Sequence, residues 1–124
     1  MLVDDNPDDN FYHEREIRKS NVVDSIIIKQ NGMDAISYLK SKTTGENAPP
    51  ELIFLDVNMP GMNGWEFLTE YNKLDQELKS HVIIVMLTTS DNPADMEKAK
   101  GSVTEYRTKP LTKEMMIEII DKHF

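Results

Sequence analysis

The sequence predicts an α/β domain in which helices cover both faces of a five-stranded parallel sheet. Three observations predict this fold: strand-like and helix-like segments alternate, the connections between them are short, and the central strands are continuously apolar. A chain of 124 residues is long enough for one compact domain and too short for two. We therefore expect a single three-layer, doubly wound (βα)5 domain over residues 1–124.

The five predicted strands are short apolar runs bounded by polar or turn-forming residues. In chain order they cover residues 1–3, 25–29, 51–56, 82–87 and 104–108. The first run is so short that we expect a truncated strand, with residues native to the protein missing before it. The second, third and fourth runs are expected to be buried on both faces, whereas the more polar fifth is expected at a sheet edge.

Five helices are predicted between and after these strands. Their starts are expected near Pro7, Met33, Asn63, Asn92-Pro93 and Thr112. Asn6 can cap the first helix, and Pro7 suits its first position. Asn63 and Glu66 resemble a capping box, and Gly101 is a plausible end of the fourth helix. Residues 43–50 have the composition of a loop.

Composition and charge exclude several classes of protein. The sequence has no cysteine, which excludes disulfides and thiolate metal sites and is compatible with the reducing cytoplasm where we expect the protein. A net charge of −8 would repel phosphate backbones, so direct nucleic-acid binding is not expected. No apolar run has the length of a membrane span and no signal peptide is visible, so no membrane association is expected.

Reactive or charged residues directly follow four of the five predicted strands. In an open parallel sheet, ligands bind beyond the carboxyl ends of the strands, so residues at these positions are expected to lie together. The residues in question are Asp4, Asp5, Asp56, Thr88 and Lys109.

Such a group of side chains suits a phosphoryl site that depends on a divalent cation. Neighbouring carboxylates repel one another unless a cation intervenes, and Mg²⁺ prefers hard oxygen ligands. Lys109 adds a positive charge and Thr88 a hydroxyl donor, which together can hold phosphoryl oxygens. Asp56 ends the most buried strand and is the natural nucleophile, forming an acyl phosphate.

At this point the chain resembles a known family, the receiver domain of two-component response regulators (CheY-like). The resemblance spans the chain and rests on VDD at 3–5, LDVNMPGMNG at 55–64, LTTS at 87–90 and YRTKP at 106–110. It implies a flavodoxin-like fold with strand order 2-1-3-4-5, the order of the CheY-like proteins. It also implies a cytoplasmic signalling protein of a phosphorelay and no enzyme acting on external substrates.

The resemblance further implies a role for each candidate residue. Asp56 would accept a phosphoryl group from a sensor histidine kinase or a histidine phosphotransfer protein. Asp5 and Asp56 would bind Mg²⁺ together with the backbone carbonyl of Asn58, and Asp4 would act through water. Lys109 would bind the phosphoryl group.

Signalling would then depend on a switch. Thr88 would move to hydrogen-bond the phosphoryl group, and Tyr106 would change rotamer with it. The surface of the fourth predicted helix, the fifth strand and the fifth predicted helix would carry the signal to a downstream protein target or to an output domain. The chain would act as a monomer or a phosphorylation-linked dimer, either alone or as part of a longer protein. Thr89 would alter access to Asp56, and Asn58 and Ser90 occupy positions that tune dephosphorylation.

Two other functions are compatible with part of this set of residues. A haloacid-dehalogenase-type phosphohydrolase also uses a strand-end Asp, but its chemistry needs a second acid two residues later, where this chain has Asn58. A degenerate receiver would have lost part of the set that is present here. The three histidines, His13, His81 and His123, match no metal spacing and are interpreted as surface residues.

Overall fold

The computed structural model describes residues 1–41, 49–80, 82–89 and 93–124, and it confirms the predicted α/β architecture. The strands are β1 (Leu2–Val3), β2 (Ile28–Lys29), β3 (Leu52–Leu55), β4 (Ile83–Thr88) and β5 (Glu105–Thr108). They form one parallel sheet in the order β2-β1-β3-β4-β5, which is the order that the family resemblance implied.

Six helices lie in the described part of the chain, one more than predicted. They are α1 (Pro7–Ser20), α2 (Gly32–Lys40), α3 (Gly64–Tyr71), α4 (Gln76–Lys79), α5 (Pro93–Ala99) and α6 (Lys113–His123). The additional helix, α4, has four residues and buries none of them. Its one apolar residue, Leu78, packs against the core, but a single helical turn is too short to show a period in the sequence. None of the described helices combines the length and the apolarity that a membrane crossing needs.

The core consists of two apolar clusters, one on each face of the sheet. On one face, α1 and α6 pack over the strands, and Ile17, Met116 and Ile119 are almost fully buried there. On the other face, α2 and α3 pack with residues such as Leu39 and Phe67. Because successive strand residues point to opposite faces, β3 and β4 contribute to both clusters, as continuous apolar strands in a parallel sheet should.

The second strand differs from its prediction. It is confined to Ile28–Lys29, within the predicted range 25–29, and both residues are half-buried instead of buried on both faces. The strand lies at the sheet edge, and its neighbour β1 offers only Leu2 and Val3 as pairing partners. The prediction of a two-sided buried strand is therefore wrong for β2.

The predicted helix starts are found where the structure describes them. The Asn6 side chain accepts hydrogen bonds from the backbone N–H groups of Asp8 and Asp9 at 2.9 and 3.1 Å. Asn63 and Glu66 form the expected reciprocal capping box. The helix predicted from about Met33 begins one residue earlier, and Gly101, with a φ of 78°, follows α5. Some predictions concern residues that the structure does not describe: His81, Ser90, Asn92 and the loop residues 43–48.

Candidate functional site

Three carboxylates converge at the carboxyl edge of the sheet. Asp4 and Asp5 follow β1 and Asp56 follows β3, two neighbouring parallel strands with Val3 opposite Leu55. One carboxylate oxygen from each of the three aspartates lies within 4.8 Å of the others. Asp4 and Asp56 are only 5% and 7% exposed, and Asp5 is half-buried. The structure thus brings together the acidic residues that the strand-end argument selected.

Lys109 follows β5 and points its ammonium group into this acidic cluster. Its Nζ donates to Asp4 Oδ2 at 2.7 Å and to Asp9 Oδ2 at 2.8 Å, and it lies 3.7 Å from Asp56 Oδ1. The lysine backbone is anchored to the next strand, because its N–H donates to the carbonyl of Thr88 at 2.7 Å. Lys109 is therefore the countercharge of Asp4, Asp9 and Asp56 in this structure.

Asp56 lies in surroundings that disfavour its charge. Burial, followed by the nearby charge of Asp4, raises the pKa of its carboxyl group from the ordinary value of 3.8 to about 6. Lys109 and a hydrogen bond from the backbone N–H of Asn58 act in the opposite direction. Burial opposes the charge of the Lys109 ammonium group, but its hydrogen bonds to Asp4 and Asp9 raise the pKa of Lys109.

The acidic cluster fits a small divalent cation. Three oxygen donors within 4.8 Å of one another are the hard ligands that Mg²⁺ and related ions prefer, and such ions typically retain several waters. A cation there would also relieve the repulsion between the buried carboxylates of Asp4 and Asp56. The Asn58 side chain is exposed, and its backbone N–H donates to Asp56. That the Asn58 backbone carbonyl is a metal ligand stays a prediction.

Thr88 and Tyr106 lie in the two adjacent strands nearest to Lys109. Thr88 is fully buried at the carboxyl end of β4, opposite Thr108 of β5, and Tyr106 is half-buried opposite Met86. Thr89, the next residue, is exposed. The positions of Thr88 and Tyr106 are compatible with a switch, but a rotamer change stays a prediction.

Three residues of α1 that were not among the predicted site residues also lie at or beneath the site. Asp9 binds Lys109 directly; in the sequence it belongs to the acidic run Asp4, Asp5, Asp8 and Asp9, which could be a solvated face or a cation site. His13 is 2% exposed, so its interpretation as a surface residue is wrong. Burial, followed by the charge of Lys109, lowers the pKa of this histidine. Asn10 is 3% exposed and donates through Nδ2 to the carbonyl of Asp4 at 2.8 Å.

Comparison with known proteins identifies the family. A sequence model of the response regulator receiver domain matches residues 1–121. Response regulator Rcp1 of Synechocystis sp. is 35% identical over 97 residues, which cover 77% of this chain and 65% of Rcp1, slightly less than two thirds of that protein.

Solved structures agree in fold and in sequence. A two-component response regulator from Cytophaga hutchinsonii superposes with a TM-score of 0.89 at 32% identity, covering 98% of this chain and 92% of that one. The Mn²⁺-bound form of Rcp1 superposes with a TM-score of 0.74 at 31% identity, covering 95% and 86% of the two chains. With its acidic cluster at the carboxyl edge of a 2-1-3-4-5 sheet, the chain belongs to the response regulator receiver domains, the phosphoryl-accepting domains of two-component signalling.

Proposed function

We propose that Asp56 is the phosphoacceptor of this receiver domain and that residues 1–124 form a single domain around it. The observation that carries the proposal is the buried Asp56 carboxylate, which lies 3.7 Å from the Lys109 ammonium and within 4.8 Å of two further carboxylates. Its raised pKa is typical of a reactive carboxylate at a functional site.

The reaction is a transfer from a phosphohistidine of a sensor kinase or a phosphotransfer protein. An Asp56 carboxylate oxygen attacks the phosphorus, a P–O bond forms, and the P–N bond to the histidine breaks. The departing imidazole retains the electron pair and takes a proton. Asp56 thereby becomes an acyl phosphate, and the donor histidine is neutral again.

Mg²⁺ is the cofactor that we assign to the site. Asp5, Asp56 and the carbonyl of Asn58 would hold it directly, and Asp4 would act through water. When bound, the ion supplies charge neutralisation at the phosphoryl oxygens. The donor set is composed of oxygen atoms alone, which supports this choice over softer metals.

Lys109, Thr88 and Tyr106 would register the modification. Lys109 would exchange part of its contact with Asp4 and Asp9 for a phosphoryl oxygen, and the Thr88 hydroxyl would hydrogen-bond another. The rotamer change of Tyr106 would follow and would alter the face made by α5, β5 and α6. That face would meet a downstream protein or an output domain. The state of association, monomer or phosphorylation-linked dimer, and the cytoplasmic location stay predictions.

Intact mass after incubation with acetyl phosphate tests the proposal. Wild type should gain the mass of one phosphoryl group in Mg²⁺ and should not gain it in EDTA. Asp56→Asn should gain none, whereas Glu97→Gln, which changes a carboxylate that is 74% exposed and lies on α5, should behave as wild type. Modification of Asp56→Asn, or no modification of folded wild type, would overturn the assignment.

The same samples separate the rival functions. A phosphohydrolase would release phosphate from p-nitrophenyl phosphate through many turnovers, and we expect none because Asn58 cannot act as a general acid. A degenerate receiver would bind partners without gaining mass. Steady turnover would favour the first rival, and an unmodified protein the second.

A further inference from the structure

The buried face of α1 is unusually polar for a helix that packs on a sheet. Besides Ile17, its buried residues are Asn10, His13, Glu16 and Ser20. Glu16 accepts a hydrogen bond from the backbone N–H of Lys113 at the start of α6, and the Ser20 hydroxyl donates to the carbonyl of Ile17. These contacts account for Glu16 and Ser20, whereas Asn10 donates to the carbonyl of Asp4 and the His13 ring packs against that of Tyr12.

The orientation of the Asn10 amide follows from its partner. Its Nδ2 group donates to the carbonyl oxygen of Asp4 at 2.8 Å, and a carbonyl can only accept, so the NH₂ end must face Asp4. The amide oxygen therefore points elsewhere, and Asn10 Oδ1 is buried with no hydrogen-bond partner among the described residues. A buried acceptor without a donor costs free energy, so a donor is expected there.

A small cavity lies beside this residue, beneath the acidic cluster. Its volume is about 10 Å³, close to that of a single water-sized sphere. Apolar residues of β1, β3 and β4 form part of its wall, and the polar part comes from Asp4, Asn10, His13 and Asp56. A buried water needs two to four polar partners, and this wall offers that number.

We propose that this cavity binds one structural water, which links Asn10 and His13 to the Asp56 carboxylate and makes the two α1 residues positioning residues of the phosphoacceptor site. Water can donate to Asn10 Oδ1 and use its second hydrogen and its lone pairs toward Asp56 and the His13 ring. The lowered pKa of His13 favours the neutral imidazole, which has one donor and one acceptor nitrogen.

The acidic residues would then be restrained by groups on α1 in addition to Lys109. Asn10 restrains the turn after β1 through the Asp4 carbonyl, and the water restrains the carboxylate that ends β3. Groups that orient metal ligands through a hydrogen bond commonly affect metal affinity or activity by about 10- to 100-fold. The positioning role rests on the function proposed above, whereas the water site does not.

A crystal structure of the wild-type protein at a resolution that orders waters tests the site itself. We expect one water in the cavity, about 2.7–3.2 Å from Asn10 Oδ1. A dry cavity, or a protein donor on Asn10 Oδ1, would overturn the proposal. The crystal structure uses the wild-type protein, so this test of the water site is valid even if a substitution impairs folding.

Variants test the positioning role through Mg²⁺ affinity, measured by calorimetric titration. Asn10→Leu and His13→Leu remove the polar partners of the water, and each should weaken Mg²⁺ binding by about tenfold. His13→Gln retains hydrogen-bonding groups and should recover most of the affinity. Glu16→Gln is the control on the same helix face: it weakens a contact to α6 and should lower the melting temperature without changing Mg²⁺ affinity.

The outcomes separate this inference from the proposed function. If the water is present but the two Leu variants bind Mg²⁺ as tightly as wild type, the positioning role is overturned. Failure of wild type to accept a phosphoryl group overturns the proposed function, while the water and the Mg²⁺ titrations still decide the inference. A phosphorylated wild type with a dry cavity overturns the inference alone.

Discussion

At the scale of single residues, the carboxylates of the site repel one another, and the fold does not relieve this repulsion fully. The two buried aspartates, Asp4 and Asp56, share one ammonium group, that of Lys109, with Asp9. Burial, followed by the charge of Asp4, raises the pKa of Asp56 to about 6, and the ammonium group of Lys109, 3.7 Å from Asp56 Oδ1, opposes this shift only in part. The metal-free fold thus disfavours the charged form of the residue that is proposed to react.

Replacing Asp56 by Asn should therefore stabilise the metal-free protein in a pH-dependent manner. Below about pH 3.8 the carboxyl group is protonated in the folded and unfolded states, so it contributes no difference. As pH rises to about 6, the unfolded chain loses the proton first, and the free energy of unfolding of wild type falls relative to the variant. Above that pH the gain should be constant, about 3 kcal/mol.

Denaturant unfolding in EDTA at several pH values measures this gain. Glu97→Gln, at a carboxylate that is 74% exposed, is the control and should show almost no pH-dependent difference. An Asn variant whose advantage does not vary with pH would contradict the account of Asp56.

Removing the Lys109 ammonium group should have the opposite effect. Lys109→Met leaves buried carboxylates without their countercharge and should destabilise the metal-free protein by about 3 kcal/mol. Mg²⁺ should restore part of that loss, since it supplies positive charge at the same carboxylates. Thermal melts with and without Mg²⁺ measure both effects. Lys100→Met, which breaks a largely exposed pair with Glu97, should cost little, and an equal cost for the two variants would refute the role of Lys109.

The residues that follow strands could be predicted from sequence, and those on α1 could not. Asp4, Asp56 and Lys109 were found because parallel strands end at one edge, so their positions depend on topology alone. Asp9 and His13 lie on a helix, where the face that meets the site depends on packing. A histidine within a charged run gave no signal of burial.

At the scale of elements, α3 packs closely on the loop that carries Asp56. The N–H of Gly64 donates to the carbonyl of Val57 at 2.8 Å, and a Cβ at residue 64 would lie 2.7 Å from the Asp56 carbonyl oxygen. Real Cβ atoms do not approach backbone so closely, so the helix start or the loop would have to move. Only glycine permits this approach.

Gly64→Ala should therefore disturb the site as well as the fold. We expect a loss of about 2 kcal/mol in the free energy of unfolding and weaker Mg²⁺ binding, because the loop carrying Asp56 must shift. Thr69→Ala, at an exposed position of the same helix, is the control and should change neither quantity appreciably. Denaturant unfolding and calorimetric titration measure the two effects, and a stable Gly64→Ala protein with unchanged Mg²⁺ affinity would contradict the argument.

A cavity of about 450 Å³ lies at the opposite edge of the sheet, in line with β1. It is lined by residues on both sides of the sheet plane, among them Ile17, Ile26, Tyr38, Leu52 and Met116. By the register of β1, a residue before Met1 would lie between Ile26 and Leu52. The Met1 ammonium donates to Leu52, and burial lowers its pKa to about 5.

Adding about three apolar residues before Met1 should stabilise the protein by several degrees, because they would extend β1 into this cavity. The gain should increase as pH falls from about 8 to 5, because the extension replaces a buried amine whose charging opposes folding over that range. A Gly-Ser-Gly extension is the control for the added length. Equal melting temperatures for the two extensions would contradict the prediction.

The bounds of β2 and α4 show what local pattern does not specify. The triple isoleucine at 26–28 indicates a strand, but only Ile28 belongs to β2, and Ile27 contributes one carbonyl that accepts a hydrogen bond from Leu2. Four residues of α4 bury no side chain and carry no period. Strand length and short helices therefore depend on neighbours that a local reading does not include.

At the scale of the whole molecule, the alternating pattern determined the layers but not the order of the strands. Continuous apolar runs require helices on both faces, and the two core clusters satisfy that requirement. The order 2-1-3-4-5 came from family resemblance, because apolar patterning specifies which faces are buried and not which strands are neighbours. That order is what brings the ends of β1 and β3 together and so creates the acidic cluster.

The central claim is that carboxylates from β1 and β3 share one divalent cation, and the Mg²⁺-dependent shift in melting temperature tests it most directly. Wild type should gain stability saturably with Mg²⁺, as ligand binding to the folded state requires. Asp5→Ala and Asp56→Asn should respond much less, while Glu97→Gln, a matched loss of one exposed charge, should respond as wild type does. Equal responses in all four proteins would mean that Mg²⁺ acts on the overall negative charge, and would contradict the site.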